Sequence, residues 1–200
     1  MKIKEIIDAL ERFAPLPLQD GFDNAGLQLG LTGAEATGAL LCLDVTEEVL
    51  DEAEALGANL LGAHHPLLVH AVKSLTGRNS VERCVMKAVC NGIAVYAAHT
   101  NLDNTLGGVN FKMAEKIGLT DVCVLQPLED GCPGGAGIIG HLEEPETETD
   151  FLQRLKKTFE ASCVMHNRLC GREIRTVALC GGAGAFLIPQ AIRAGADVFV

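Results

Sequence analysis

The feature that most constrains the fold of this chain is an alternation of short apolar segments with amphipathic helical segments. Strand-like apolar runs at 39–45, 59–63 and 93–98 are separated by helical segments that begin after Thr46 and at Ser80. Threonine and serine are typical residues at helix N-termini. Strands that alternate with helices are typical of a parallel sheet whose faces are covered by the helices. The sequence therefore predicts an α/β fold with mostly parallel sheets covered by helices.

A run of glycine, proline and acidic residues near the middle of the chain predicts a seam between two domains. The run Glu129-Asp130-Gly131-Cys132-Pro133-Gly134-Gly135 combines residues that favour turns over helices or strands. We therefore expect an N-terminal α/β half over residues 1–128 and a second α/β half over residues 129–200. Within the second half, the pattern predicts a helix over 149–160 and strands over 162–165 and 175–180.

The two halves partly repeat each other. Leu43–Ala63 and Val177–Val200 both read as strand, turn, helix and strand, and they align on Gly57 and Gly195. In this alignment the second segment stops just before the position that corresponds to the first histidine pair. A natural terminus usually leaves the fold in polar residues, whereas this chain ends in an apolar strand. We therefore expect the second half to be truncated and the chain to be a copy of a longer one.

Composition excludes several classes of partner. The 200 residues carry a formal net charge of −10, whereas nucleic-acid-binding proteins normally carry a basic surface. No apolar run reaches membrane-spanning length and the N-terminus does not resemble a signal peptide, so we expect no membrane partner and a cytoplasmic location. The eight cysteines show no C-x-x-C spacing, which argues against a zinc knuckle, and a core of this size does not need a disulfide framework.

Polar residues follow two of the predicted strands at the point where each strand ends. His64 and His65 end one strand, and His99 and Asp103 follow the next. The carboxyl ends of parallel strands meet at one edge of a sheet, where α/β proteins bind their ligands. Neutral imidazole and carboxylate are ligands that suit zinc, iron and manganese. We therefore expect His64, His65 and Asp103 to hold a divalent metal.

The adjacent histidines allow more than one interpretation. On a regular strand their side chains would point to opposite faces. Pro66 holds His65 extended where the chain leaves the sheet, and two histidines at such an exit can serve two ions roughly 3.5 Å apart. The alternative is a pair of ordinary polar residues at a strand end. His99 is either a ligand, a residue that hydrogen-bonds to a ligand, or a histidine satisfied in the core.

Other candidates have simpler structural interpretations. Asp23 and Asn24 lie in a glycine-rich loop and either support a site or hydrogen-bond within their own turn. For Asp44, at the end of a strand, we expect a role in starting the helix after Thr46. Gly181-Gly182-Ala183-Gly184 predicts a tight turn rather than a phosphate loop, because it lacks the complete G-x-G-x-x-G spacing. The pattern gives no role to the remaining histidines, His70, His141 and His166.

Four motifs follow one another along the first part of the chain: G-F-D-N-A-G-L-Q-L-G at 21–30, L-D-V-T at 43–46, G-A-H-H-P-L-L at 62–68 and A-A-H-T-N-L-D at 97–103. In this order they resemble the Nif-three-like family, whose members are labelled GTP cyclohydrolase 1 type 2 homologs or dinuclear metal centre proteins. The resemblance extends over residues 1 to about 126. It implies two similar α/β halves, a site for up to two metal ions between them, and a ring-shaped homohexamer.

The resemblance also implies a ligand set and an activity. His64, His65 and Asp103 match the N-terminal metal ligands of the family, whereas the histidine and glutamate of its C-terminal motif have no counterpart in this chain. The implied function is metal-dependent hydrolysis of a small, nucleotide-like substrate, with zinc, iron or manganese as the metal. The alternative is a non-catalytic metal-binding or scaffold protein that acts as an oligomer.

Overall fold

A computed structural model describes residues 1–128 and 131–200, which form two units, Met1–Leu102 and Asp103–Val200. Each unit contains a four-stranded sheet. The α/β class predicted from the alternation of strands and helices is confirmed, since both units combine a sheet with helices. The predicted seam between residues 128 and 129 stays a prediction, because Glu129 and Asp130 lie outside the described residues.

The first unit is built on a sheet in which three strands run parallel. The order across this sheet is β1-β4-β3-β2, and β1 alone runs antiparallel to its neighbour. The elements, in chain order, are helix α1 (Ile3–Phe13), β1 (Gly26–Leu29), β2 (Ala39–Cys42), α2 (Glu47–Ala55), β3 (Leu60–Ala63), α3 (Ser80–Cys90) and β4 (Ala94–Ala97). The short helix α4 (Thr100–Asn104) follows, and the boundary between the two units falls within it.

The register of this sheet aligns the strand ends in a single row. Cys42 pairs with Ala63, Ala63 pairs with Ala97, and Gly26 pairs with Ala97 from the other side. The residues that follow β2, β3 and β4 therefore meet at the same edge as the residues that precede β1. This row determines which side chains of the loops can reach one another.

Helices cover both faces of the first sheet. On one face, Leu61 and Val95 pack with Leu50 of α2 and Cys84 of α3. On the other face, the strand residues Leu60, Ala94 and Tyr96 pack with Ile3 and Ile7 of α1. Because successive strand residues point to opposite faces, burial on both sides explains the nearly continuous apolar sequence of β3 and β4.

The helix starts of the first unit follow the side-chain chemistry of the sequence. The Oγ1 atom of Thr46 accepts a hydrogen bond from the backbone N–H of Val49, which confirms the predicted N-cap of α2. For α3 the N-cap is Asn79, one residue before the predicted Ser80, and its Oδ1 accepts from the backbone N–H of Glu82 at 2.8 Å. Asparagine and serine are both good N-caps, so composition alone does not separate the two positions.

The second unit contains a sheet in the order β5-β6-β7-β8. Its elements are α5 (Val109–Ile117), β5 (Thr120–Pro127), β6 (Gly135–Thr147), α6 (Glu148–Thr158), β7 (Glu173–Leu179), α7 (Ile188–Arg193) and β8 (Val198–Phe199). The expectation of mostly parallel pairing fails here, because β5–β6 and β6–β7 are antiparallel and only β7–β8 is parallel. Residues 128–134, which join β5 to β6, are too few for the crossover that a parallel pair needs.

One predicted strand of the second unit is absent from the described residues. Residues 162–165 lie in an irregular segment between α6 and β7. Cys163 and Met165 are exposed, so no packing against a core stabilises an extended strand there. The prediction of a strand at 162–165 is therefore wrong, since β-propensity depends on burial against neighbours.

The predicted internal repeat is present in the topology. β2-α2-β3 and β7-α7-β8 are both strand–helix–strand units with parallel strands. The helices are followed by Gly57 at φ +66° and Gly195 at φ +74°. Glycine takes this left-handed conformation without the strain that a side chain causes, and it commonly ends helices in this way. The same local stop therefore positions the second strand in each unit.

All eight cysteines are free thiols. None of the helices in residues 1–128 and 131–200 combines the length and the apolar character that crossing a membrane requires.

The packing of α2 provides a test of the first core. Leu50 is fully buried, whereas Leu56, at the end of the same helix, is 66% exposed. We expect Leu50→Ala to lower the free energy of unfolding by about 2–5 kcal/mol, because it removes buried methyl groups and leaves a cavity. Leu56→Ala is the matched control and should change stability by less than about 0.5 kcal/mol. Urea unfolding followed by circular dichroism measures both, and equal effects would contradict this core assignment.

Candidate metal centre

Three histidines converge at the aligned edge of the first sheet. His64 and His65 follow β3, and His99 follows β4. One ring nitrogen of each histidine lies within 4.8 Å of the corresponding nitrogen of the other two. The ring centroids are separated by 5.0 Å for His64 and His65, 5.4 Å for His64 and His99, and 5.7 Å for His65 and His99. Three imidazole nitrogens grouped this closely could hold a metal ion.

The chain leaves the regular strand geometry where the two adjacent histidines occur. The backbone N–H of His64 donates to the Cys42 carbonyl at 3.1 Å, and that of His65 donates to the Leu43 carbonyl at 2.9 Å. The two imidazole rings nevertheless lie beside each other, tilted by 48°, and do not point to opposite faces. The prediction that the exit into Pro66 lets both rings serve one site is consistent with this geometry.

Each histidine of the cluster hydrogen-bonds to an oxygen through Nδ1. The acceptor is the Ala98 carbonyl for His64, Asp44 Oδ1 for His65 and Asp23 Oδ1 for His99, each at 2.8 Å. A carbonyl or an ionised carboxylate only accepts, so Nδ1 carries the proton in the neutral rings. The lone pair is then on Nε2, which is the arrangement found in metal-binding histidines held by a carboxylate or a carbonyl.

Asp23 is the most constrained of these acceptors. Its side chain is only 1% exposed, and its Oδ1 also accepts from the backbone N–H of Asn24 at 2.7 Å. Its Oδ2 accepts from the backbone N–H of Thr100 at 3.0 Å and from the Thr100 hydroxyl. Burial alone raises the pKa of Asp23, but the hydrogen bonds from Thr100 and His99 outweigh it and lower the pKa below the ordinary value. Asp23 therefore stays ionised and holds the His99 ring in one orientation.

The second carboxylate, Asp44, faces the solvent. Its side chain is 63% exposed, and that of its partner His65 is 45% exposed. The expectation that Asp44 helps to start helix α2 is wrong, because Thr46 caps the helix and the Asp44 carboxylate bonds to His65. The cluster is therefore closed on the Asp23 side and open to solvent on the Asp44 side.

The glycine-rich loop that carries Asp23 also fixes the segment after the histidine pair. The Asn24 side-chain amide donates to the Leu68 carbonyl at 2.5 Å, and the Leu68 N–H donates to Gln28 Oε1 at 2.8 Å. Gln28 in turn donates to the Asn24 carbonyl at 2.6 Å. This small network holds the chain in place just beyond Pro66. The loop therefore supports the site, which was one of the two interpretations open from sequence.

The structure brings together two of the three predicted ligands and adds His99. Asp103 lies in α4 at the first position of the second unit, and its backbone carbonyl accepts from the Asn110 side chain at 3.0 Å. Its role as a ligand stays a prediction. His70, His141 and His166 lie outside the cluster, in keeping with the absence of a predicted role.

Sequence reasoning missed the specific partners of the histidines. The pairing of Asp44 with His65 and of Asp23 with His99 depends on the strand register, which places residues 44 and 23 at the same edge as the histidines. Their positions in the sequence could have indicated these partners, because Asp44 and Asp23 each lie within three residues of the end or start of a strand.

The glycine turn at 181–184 is engaged within its own unit. The backbone N–H of Gly181 donates to Asn110 Oδ1 at 2.8 Å, and the turn leads into a short 3₁₀ segment, Gly184–Leu187. An amide that already donates within the protein is not available to cradle a phosphate. The interpretation of this motif as a tight turn therefore fits its contacts better than a nucleotide loop.

The fold and the histidine cluster define an α/β protein with a candidate metal centre at a sheet edge, and comparison with known proteins shows where it belongs. The model of the Duf34/NIF3 (NGG1p interacting factor 3) family matches residues 1–200. The chain is 34% identical over 203 residues to a GTP cyclohydrolase 1 type 2 homolog of Lactococcus lactis, covering all of this chain and 77% of that protein. A homolog of the same name in Clostridium perfringens is 31% identical over 200 residues, with 100% and 76% coverage.

Solved structures agree with the sequence comparisons. A Bacillus cereus protein related to NIF3 superposes with a TM-score of 0.91 at 26% identity, covering 100% of this chain and 81% of that chain. This chain therefore belongs to the Duf34/NIF3 family, as its four motifs indicate.

The histidine cluster predicts which side chains control metal content. We expect His65→Ala and His99→Ala each to reduce the metal retained after dialysis by more than about tenfold, because each removes one imidazole ligand. Loss of only a supporting hydrogen bond reduces metal affinity by about tenfold or more. His166→Ala, at an exposed position in the second unit, is the matched control and should retain wild-type metal. Elemental analysis measures the content, and unchanged metal in both cluster variants would show that the cluster is not the site.

The Asp44–His65 hydrogen bond predicts a separate, smaller effect. We expect Asp44→Ala to weaken metal affinity by about 10- to 100-fold, because His65 loses the acceptor that fixes its proton on Nδ1. Thermal stability should change little, since Asp44 is exposed. Glu52→Ala, which removes an exposed carboxylate from α2, is the control for net charge. Competition with a chelating dye measures the affinity, and equal affinities for the two variants would refute the role given to Asp44.

Proposed function

We propose that this protein is a divalent-metal-dependent hydrolase that acts on a small nucleotide-like substrate. The observation that carries the proposal is the convergence of three imidazoles whose Nδ1 atoms all bond to oxygen acceptors. A chance group of surface histidines would not require three separate acceptors for Nδ1. Here all three acceptors leave the lone pair on Nε2. This donor set suits zinc, iron or manganese.

The proposed ligand set combines the geometry with the family resemblance. His64 and His65 are supported by both, His99 is supported by the geometry, and Asp103 is carried over from the family motif at 97–103. Adjacent histidines can serve two ions, so we propose up to two metal ions per chain. A carboxylate beside neutral imidazoles offsets part of the positive charge of the ions.

The residues in and around the cluster have different roles in the proposed site. When bound, a divalent cation supplies Lewis acidity and acidifies a coordinated water molecule. Asp23, buried and ionised, keeps the proton of His99 on Nδ1 and orients the ring. The lone pair on Nε2 of His99 is then directed away from Asp23, where it can bind a metal ion or accept a proton. The solvent-exposed side, where His65 and Asp44 lie, is the side from which a substrate can enter.

The substrate class rests on the relatives. The Lactococcus lactis and Clostridium perfringens proteins are named GTP cyclohydrolase 1 type 2 homologs, and we propose GTP or a related nucleotide as the substrate. We also propose that the protein works as a cytoplasmic homohexamer, as the family resemblance implies.

The proposal predicts metal-dependent turnover. We expect the metal-stripped protein to be inactive on GTP, and zinc, iron or manganese to restore activity, because the ion provides the acidified water. Turnover should fall by at least about 10²-fold in His65→Ala and remain at the wild-type level in His166→Ala. Chromatographic separation of nucleotide products measures the rate.

Two results would contradict this prediction in different ways. Equal turnover with and without metal would show that the reaction does not depend on a metal ion. Tight metal binding without turnover, over a panel of nucleotides and phosphoesters, would instead support a non-catalytic metal-binding or scaffold protein.

A further inference from the structure

A cavity of about 420 Å³ lies in the first unit beside the loop that follows the histidine pair. The loop joins β3 to α3, and the cavity is lined from Leu67 to Glu82. Leu67 is two residues after His65, so their Cα atoms are no more than about 7 Å apart. The cavity therefore begins next to the candidate metal centre.

Basic side chains line this cavity, in contrast with the strongly acidic chain. Lys73 and Arg78 both contribute to the lining, together with His70. Lys73 is exposed and has no ion-pair partner in the described part of the chain. Arg78 donates from Nη2 to Ser74 Oγ at 2.7 Å, which fixes its guanidinium across the loop. Arg78 also pairs with the Glu82 carboxylate at 3.9 Å. The two cations and one carboxylate of the lining therefore leave one net positive charge, that of Lys73, on a protein with a net charge of −10.

Glu82 is the one carboxylate among the lining residues, and its oxygens accept hydrogen bonds from the loop. It is 6% exposed, and one of its oxygens accepts from the backbone N–H of Thr76 at 2.8 Å, the Thr76 hydroxyl at 3.0 Å and the backbone N–H of Arg78 at 3.1 Å. Its other oxygen accepts from the Asn79 side-chain amide at 3.2 Å. These bonds give the loop a fixed shape at its second end, as the contacts of Leu68 do at its first end.

The first turn of α3 lies at the same cavity, because Asn79, Val81 and Glu82 are among the lining residues. The first amides of a helix have no acceptor within the helix, and the Asn79 side chain satisfies that of Glu82 alone. Within the described residues, no oxygen accepts from the amides of Ser80 or Val81, and Val81 lines the cavity. Free amides and the positive end of the helix dipole favour an anion at this position.

We propose that this cavity binds the phosphate groups of the substrate whose reaction takes place at the histidine cluster. Lys73 and Arg78 supply the charge, and the first turn of α3 supplies the hydrogen-bond donors. This inference rests on the proposed function for the identity of the substrate, but phosphate binding can be measured without any reaction. The inference implies a phosphorylated small molecule whose phosphates occupy this cavity while its reactive group reaches the neighbouring histidine cluster.

The test uses calorimetric titration of the full, metal-stripped chain with inorganic tripolyphosphate. The Lys73 ammonium is exposed and makes no hydrogen bond or ion pair within residues 1–128 and 131–200, so Lys73→Gln should leave the fold unaffected. We expect its affinity to fall about tenfold or more, as for the loss of one charge-assisted hydrogen bond. Lys73→Arg should retain most of the affinity. Lys116→Gln, an exposed lysine at the end of α5, controls for net charge and should bind as the wild type does.

The outcomes separate this inference from the proposed function. Binding that persists in His65→Ala, with loss only in Lys73→Gln, supports the cavity even if no turnover is found. In the reaction, Lys73→Gln should raise KM for GTP and leave kcat nearly unchanged. Absence of tripolyphosphate binding to the wild type, or equal affinities for Lys73→Gln and Lys116→Gln, would overturn the inference.

Discussion

The register of the first sheet is the constraint on which the candidate site depends. Hydrogen bonding aligns Cys42, Ala63, Ala97 and Gly26 in one row, so four loops open at one edge. A shift by one residue would turn every side chain of the shifted strand to the other face, and it would separate the histidines from their acceptors. Burial of both faces opposes such a shift, since Leu61 and Val95 belong to one core while Leu60 and Ala94 belong to the other. Core packing thus determines where the imidazoles lie.

Oxygen acceptors then decide what the imidazoles can do. Nδ1 of each histidine is engaged by a backbone carbonyl or a carboxylate, which leaves Nε2 with the lone pair. The two carboxylates differ in environment: Asp23 is buried and bonded to Thr100, whereas Asp44 is exposed. One side of the cluster is therefore rigid and shielded, and the other is open to solvent. The loop after Pro66 connects this open site to a cavity with basic side chains.

Much of this arrangement was predictable from local patterns. The α/β class, the cap at Thr46 and the position of His64, His65 and His99 at strand ends follow from periodicity and from where polar residues occur. That His99 joins the histidine pair in one cluster was only one of the interpretations open from sequence. The antiparallel pairing of β5, β6 and β7 did not, because pairing direction depends on connection length and on which strands become neighbours. The partners of the histidines also escaped prediction: Asp23 is 76 residues from His99 along the chain, and only the folded sheet makes them neighbours.

The central claim is that the three imidazoles present Nε2 to a common divalent ion. The most direct test is long-range proton–nitrogen correlation spectroscopy on protein with 15N-labelled histidine, before and during titration with zinc. The account predicts that His64, His65 and His99 carry their proton on Nδ1, and that zinc shifts their Nε2 resonances together while His166 is unaffected. Protons on Nε2 in the metal-free protein, or zinc-dependent shifts at Nδ1, would contradict it.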